Sequence, residues 1–296
     1  MIVEHPRELF WKKLAAHAFL IAFIAVIMFP FLVVVSISFR EGNFTTGSLL
    51  PERPTLEHWY LALGLPFTRP DGTVIQPPYP VMWWMFNSVK IALIASIGVV
   101  LISTISAYAF SRVRFRGRAG LLDGLFIIQM FPTTLTLIAL YAIFDALGDV
   151  SPLIGINSHW SLILVYLSWA TLHIFTLKGY FDSVDPAMDK AAQIDGATPW
   201  QTFRHVFLPL AIPMIAVVFV LAFISVINDY PIASVLLRSQ DTLTIAVGSR
   251  FYLNEFMYRW GDFAAAAILS GLPITIVFLI AQRYLVSGLA EGGVKG

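Results

Sequence analysis

The chain has 296 residues, of which 58% are hydrophobic and 12% charged, with a mean hydropathy of +0.77. Soluble domains carry roughly twice that share of charge, about 25%, so the apolar surface has to find lipid rather than a core. A formal net charge of +1 gives no support to nucleic-acid binding, and the lack of cysteine excludes disulfides, thiolate metal sites and a cysteine nucleophile.

The N-terminal stretch MIVEHPRELFWKKL is basic and runs into an apolar segment over 14–37. That segment is too long for the apolar core of a signal peptide and has no A-x-A site after it, so it is read as an uncleaved first span. Five more segments reach the roughly 20 apolar residues that cross a bilayer: 89–110, 121–144, 160–178, 209–237 and 263–286. All six are predicted to be helices, because a lone strand leaves its backbone groups unsatisfied in hydrocarbon. Pro30, Pro132, Pro213, Pro231 and Pro273 fall within or at the ends of these spans and predict kinks. The predicted fold class is an all-α membrane protein with six transmembrane helices.

Orientation follows from the Lys and Arg of the connections. Arg7, Lys12, Lys13, Arg112, Arg114, Arg116, Arg118, Lys178, Lys190, Arg204, Arg283 and Lys295 fall on one side, 12 of the 19 cations. The other side holds Arg40, Arg53, Arg69, Arg238, Arg250 and Arg259, with Lys90 at a boundary. Both termini are therefore expected in the cytoplasm. Three parts are expected: residues 1–86, a first span with a long outer loop; 87–286, a five-span core; and 287–296, a Gly-rich cytoplasmic tail.

Between the fourth and fifth spans lies a polar interruption, DKAAQIDGATPWQTFRHVFLP. Asp185-Pro186 is a helix start, with an Asp cap before a proline, and Asp189 places a negative charge in the first turn. Gly196 is suited to the left-handed residue that ends a helix. Thr198-Pro199-Trp200-Gln201 then forms a capping box with proline at its first helical position. Two short helices about a glycine turn are predicted, with Ala191, Ala192, Ile194, Trp200, Phe203 and Val206 available for an apolar face. By spacing alone this is equally a structured connection with no further role.

No G-x-x-x-x-G-K-[ST], H-E-x-x-H or G-x-S-x-G pattern occurs. His17 and His173 stand in spans without an evident partner and read as packing or interfacial residues. Asp229 is the most notable charge in an apolar run, suited either to a polar cavity or to a broken helix turn. Trp83, Trp84, Trp160 and Trp260 read as an interfacial belt. An ion-coupled secondary transporter would place binding groups at mid-membrane on broken helices, and Asp229 alone is a poor basis for one. A membrane-embedded enzyme needs a convergent acid, base or metal set that the chain does not offer. Both classes would work without a separate ATPase chain, so dependence on one would exclude them.

The 189–209 stretch resembles the cytoplasmic signature of ABC-importer permeases, Glu-Ala-Ala, three residues, Gly, nine residues, then Ile-x-Leu-Pro. Ala191, Ala192, Gly196, Leu208 and Pro209 match it and Val206 matches conservatively, while Lys190 stands where the family has Glu. AYAFSRVRFRGR (107–118), IQMFPTTLTLIALYAIF (128–144), WGDFAAAAILSGLPITIVFLIAQRYLVSGL (260–289) and the ending EGGVKG are similar to the permeases of maltose and maltodextrin importers. The resemblance implies a type I ABC-importer permease in the bacterial inner membrane, with residues 185–209 as the coupling segment. It implies ATPase contact through Lys190, Ala191, Ala192, Asp195, Gly196, Ala197, Pro199 and Trp200. The partners implied are a second permease subunit, two copies of an ATPase subunit, a periplasmic sugar-binding protein and membrane lipid. No cofactor is expected in this chain itself, ATP and Mg being held by the ATPase. The outer connection 238–262 is expected to reach the binding protein through Tyr252, Asn254, Glu255 and Phe256, or else merely to cap the outer mouth. Maltose and maltodextrins are the implied cargo, with another oligosaccharide or a polyol as the alternative within the family.

Overall fold

A computed structural model describes residues 6–45, 48–254 and 257–292. In chain order the helices are α1 (Pro6–Ser38), α2 (Glu57–Ala62), α3 (Val81–Arg112), α4 (Arg118–Gln129), α5 (Thr133–Val150), α6 (His159–Leu167) and α7 (Ala170–Ser183). There follow α8 (Ala187–Ile194), α9 (Pro199–Thr202), α10 (Leu208–Ile227), α11 (Pro231–Leu236), α12 (Ile245–Gly248) and α13 (Trp260–Gly292). Two small antiparallel hairpins complete the set, β1 (Phe67–Thr68) with β2 (Val74–Ile75) and β3 (Leu253–Asn254) with β4 (Met257–Tyr258).

Five stretches are long and apolar enough to cross a membrane: Phe10–Ser38, Val81–Arg112, His159–Ser183, Pro199–Ile227 and Trp260–Tyr284. A sixth span exists when α4 and α5 are taken together as one broken helix. The span predicted over 121–144 with a kink at Pro132 is broken there and not merely bent, the two helices meeting at 99°. Pro132, at φ −62° and ψ 122°, is extended rather than helical. Its ring and missing N–H stop the helix at the Met130–Pro132 step, as proline does elsewhere.

The predicted span 209–237 is corrected at both ends. Its helix already begins at Pro199 and stops at Ile227, and Pro231 opens the separate α11. At the other end of the chain, α13 stays helical to Gly292 where a Gly-rich tail was expected from 287. Extending an existing helix avoids the cost of nucleation that a free Gly-rich segment would face. Residues 293–296 lie outside the described residues.

The chain divides into two compact units. One comprises residues 1–80 and 249–269. In it Ala62 packs with Ala265 and Leu269, with Trp59 against them. His58 and Asp262 are buried beside them and joined at 2.6 Å, and a Cβ on Gly261 would sit 2.1 Å from the His58 ring. Only glycine lets that backbone approach the imidazole. Glu57, also buried, accepts two hydrogen bonds from Arg69, at 2.9 and 2.7 Å. Along α1 the side chains from Phe10 to Leu32 are exposed, an apolar surface fit for hydrocarbon or another helix.

The other unit comprises residues 81–248 and 270–296. Here α3 is the central helix, packing along α7, α10 and α6. Small residues permit the close approach: Val99, Ala170 and Ala222 meet in one cluster, and a Cβ on Gly98 would collide with Leu167. Membrane helices, lacking a hydrophobic drive to associate, depend on such packing. Trp84 is fully buried and donates to the Gln240 carbonyl at 2.7 Å, so it belongs to the core and not to an interfacial belt. Trp83 and Trp160 are about half exposed, at 52% and 51%.

Candidate functional site

The segment 185–202 projects from the unit built on α3, α7 and α10, and each of its bends has a local cause. The Asp185 carboxylate accepts from the Ala187 N–H at 2.8 Å, starting α8. At its far end Gly196 has φ +77°, as its position predicted. Gly196 N–H donates to the Gln193 carbonyl at 3.1 Å and Ala197 N–H to the Ala192 carbonyl at 2.9 Å. This pair of bonds is a Schellman ending, which closes the last carbonyls of α8. The capping box follows at once: Thr198 Oγ1 accepts from Gln201 N–H at 3.3 Å, and Gln201 Oε1 accepts from Thr198 N–H at 2.8 Å.

The second helix is not short, and this corrects the sequence reading. From α9 the chain passes through one wide π turn, Phe203–Phe207, straight into α10. Pro209 supplies no N–H and its ring crowds the carbonyl four residues back, so a widened turn there relieves the conflict. The projection is thus the cantilevered end of a spanning helix.

Its apolar residues divide between two faces. Ala192 and Phe203 point inward, at 7% and 4% exposure, and Phe203 joins a core of Tyr108, Leu177, Phe181, Phe207 and Ala211. Tyr108 lies 4.9 Å from Phe203 and 5.4 Å from Phe207, ring to ring, and its hydroxyl donates to the Pro199 carbonyl at 3.2 Å. Ile194 and Trp200 face outward, 85% and 58% exposed. Lys190, Ala191, Asp195, Gly196 and Pro199 are also exposed, and Ala197 is half-buried. Large apolar side chains held outward on a braced turn form the shape of a docking knob.

Arg112, at the end of α3, was read from the sequence only as an orientation charge. In the structure its Nη2 donates to the carbonyls of Phe181 and Val184, both at 2.6 Å. Its Nη1 pairs with Asp189 of α8 at 3.2 Å, and the guanidinium lies 4.9 Å from the centre of the Phe207 ring. Burial pushes the Asp189 carboxyl above its ordinary range and the Arg112 charge pulls against that shift. In sequence Arg112 is one of four arginines in a row of alternate positions, and nothing there marks it out.

The 238–262 connection is not one free loop. Residues 238–248 are strapped down: the Asn157 side-chain Oδ1 accepts from the backbone N–H groups of Arg238 and Ser239, at 2.5 and 3.0 Å. Asn87 donates to the carbonyls of Asp241 and Leu243, and Ile245 N–H donates to Ser88. Past Gly248 the chain forms a 3₁₀ turn over Ser249–Tyr252 and then the β3–β4 hairpin. Tyr252 is fully buried, its ring edge-on to Tyr79 at 4.9 Å, so it braces the hairpin instead of presenting itself. Asn254 starts the hairpin turn, and Glu255 and Phe256 lie outside the described residues.

Asp229 resolves as a broken helix turn. Its Oδ2 accepts from Ala233 N–H at 3.1 Å, in the first turn of α11, and from the Tyr166 hydroxyl at 2.8 Å. Among the described residues, no group of three or more His, Asp or Glu stands where it would hold a metal ion.

The comparisons with known proteins place this helix bundle among transport permeases. The chain belongs to the family of inner-membrane components of binding-protein-dependent transport systems, whose profile matches residues 99–291. It is 56% identical over 296 residues to the maltose/maltodextrin transport system permease protein MalG of Photorhabdus laumondii, covering 100% of both chains. Against the MalG protein of Escherichia coli K12 the identity is 54%, again over 100% of both. A solved bacterial ABC transporter involved in import of the acidic polysaccharide alginate shares the fold at TM-score 0.73 and 21% identity. That match covers 96% of this chain and 99% of the other. The fold is that of type I ABC-importer permeases, and the chain is a transport component rather than an enzyme.

Proposed function

We propose that this chain is the permease subunit of an ATP-driven importer that carries maltose and maltodextrins across the inner membrane. The observation that carries this reading is full-length identity of 54–56% to maltose/maltodextrin permeases, with no region of the chain left over. The chain lines half of a pathway with a second permease subunit. Two copies of an ATPase subunit hold ATP and Mg, and a periplasmic sugar-binding protein delivers cargo. Both termini lie in the cytoplasm, residues 87–286 form the permease core and 287–296 the cytoplasmic end. Residues 1–86 contribute the first span and the outer loop.

In this scheme the 185–209 segment seats in the ATPase, with Ile194 and Trp200 as anchors and Lys190, Ala191, Asp195 and Pro199 around them. ATP binding closes the ATPase pair and draws the segment with it. For the spans to follow, nucleotide must bind one conformation more tightly than the other. On the outer side of the membrane Asn254, Glu255 and Phe256 meet the binding protein, while Tyr252 is buried against Tyr79 and is not presented to it.

The test is to purify the assembled complex and measure ATP hydrolysis against a panel of sugar-loaded binding protein. Stimulation by maltose and maltotriose is expected. Stimulation only by another oligosaccharide or a polyol would move the cargo, and uptake without any ATPase would overturn the class.

A further inference from the structure

We infer that Arg112 is a positioning residue that locks the docking projection to the transmembrane bundle, so that movement of residues 185–209 is delivered to α3 as well as to α10. This rests on the reading of 185–209 as the ATPase-docking segment. The α9–α10 continuity already gives the projection one rigid root. α8 itself is attached by two backbone turns, 184–186 to α7 and 195–198 to α9, and a side chain added at Gly196 would meet nothing within 4 Å, so side-chain packing does not fix the second turn. Arg112 supplies the second root.

One guanidinium gathers four elements. It donates to the carbonyls of Phe181 and Val184 at the C-terminal end of α7, the first of which also accepts from the Val184 N–H, and the negative end of the helix dipole there favours a cation. Through Asp189 it holds the first turn of α8. Its face lies on Phe207, in the wide turn at the root of α10. Its own backbone is the last residue of α3, the central helix of the unit. Its side chain is 12% exposed and that of Asp189 is 18% exposed, so water competes weakly for either charge. Removing one member of such a pair leaves the other charge without compensation. Lysine cannot substitute geometrically. An ammonium is a point donor without the planar fork that reaches two carbonyls and a carboxylate while lying flat on a ring.

The experiment uses the complete complex in proteoliposomes and reads sugar imported per ATP hydrolysed, a ratio that a mere loss of folded protein leaves unchanged. Arg112→Lys is expected to assemble with its ATPase and to lower that ratio at least about five-fold, the lower end of ordinary coupling free energies. Asp189→Asn, which keeps both carbonyl contacts, should lower it less. In parallel samples a spin label on Ala187→Cys, an exposed position at the start of α8, should gain mobility in Arg112→Lys. A wild-type ratio and a wild-type label spectrum in Arg112→Lys overturn the inference. If Arg112→Lys fails to assemble, Asp189→Asn decides by the same readouts, and wild-type values there are equally fatal. Failure of the underlying reading looks different: a complex that keeps Arg112 would retain its ATPase after 189–200 is replaced by a Gly-Ser link.

Discussion

A Cβ added to Gly196 would meet nothing within 4 Å, so that position's demand for glycine comes from its φ of +77° alone. Gly196→Val should cost about 1–2 kcal/mol for the left-handed backbone, more than Gly196→Asn, because Asn visits that region readily. ATPase co-purification should therefore drop with Val and persist with Asn; equal retention of both would show that the turn does not set the docking geometry. Lys190 is exposed, so Lys190→Glu leaves the local packing untouched and should support normal uptake. At His58 the argument is electrostatic. Nδ1 faces the Asp262 carboxylate at 2.6 Å and Nε2 faces the Gly42 carbonyl at 3.0 Å, two acceptors that together require both ring nitrogens to donate. Burial pushes the imidazole pKa down, but the Asp262 hydrogen bond and charge, the Gly42 carbonyl and Glu57 outweigh it and the net shift is upward. Arg259, 3.5 Å from Asp262, is the opposing neighbour. A raised folded pKa means stability that is complete below the unfolded value of about 6.5 and lost as pH rises through the folded value. Amide exchange over 48–62 should speed up across that rise, beyond its intrinsic pH dependence, and His58→Gln should flatten the profile. A flat profile in the unmutated protein would mean the ring is neutral.

At the scale of elements, the π turn joining α9 to α10 makes the projection part of a spanning helix. Inserting two glycines between Arg204 and His205 should break that continuity, each glycine costing roughly 1 kcal/mol in a helix interior. The expected outcome is a complex that still holds its ATPase but imports little sugar; undiminished uptake would show that α10 is not the transmitting rod. The local signals here were legible beforehand. Asp185, Gly196 and the Thr198–Gln201 box act within four residues of themselves, and the structure has each doing what its chemistry dictates. What stayed hidden depends on partners distant in sequence. Pro209 reads as the end of the signature, yet it acts by widening a turn inside a longer helix. Pro132 reads as one more membrane kink, yet it separates α4 from α5. Arg112 meets Phe181, Val184, Asp189 and Phe207 across 69 to 95 residues of sequence, a convergence that no spacing announces. Tyr252 reads as part of a contact surface shared with Asn254 and Glu255, yet its ring is buried against Tyr79.

For the whole molecule, the charge distribution and the projection make one joint claim about sidedness. Twelve of the 19 cations, including the 112–118 arginines, share the side of the bundle on which 185–202 is expected to emerge. Cytoplasmic loops carry that excess, and an ATPase is found only where ATP is. The absence of cysteine makes the claim directly measurable, since each introduced thiol will be the sole target in the chain. Glu52→Cys, Asp241→Cys, Arg116→Cys and Ile194→Cys all fall on exposed residues, the last 85% exposed. A membrane-impermeant maleimide applied to spheroplasts should label the thiols at 52 and 241 at once, and those at 116 and 194 only after permeabilisation. ATPase bound to the complex should then shield position 194 but not 116, because only the first lies on the knob. Labelling of 194 from outside would invert the topology and remove the projection from any nucleotide-driven motor.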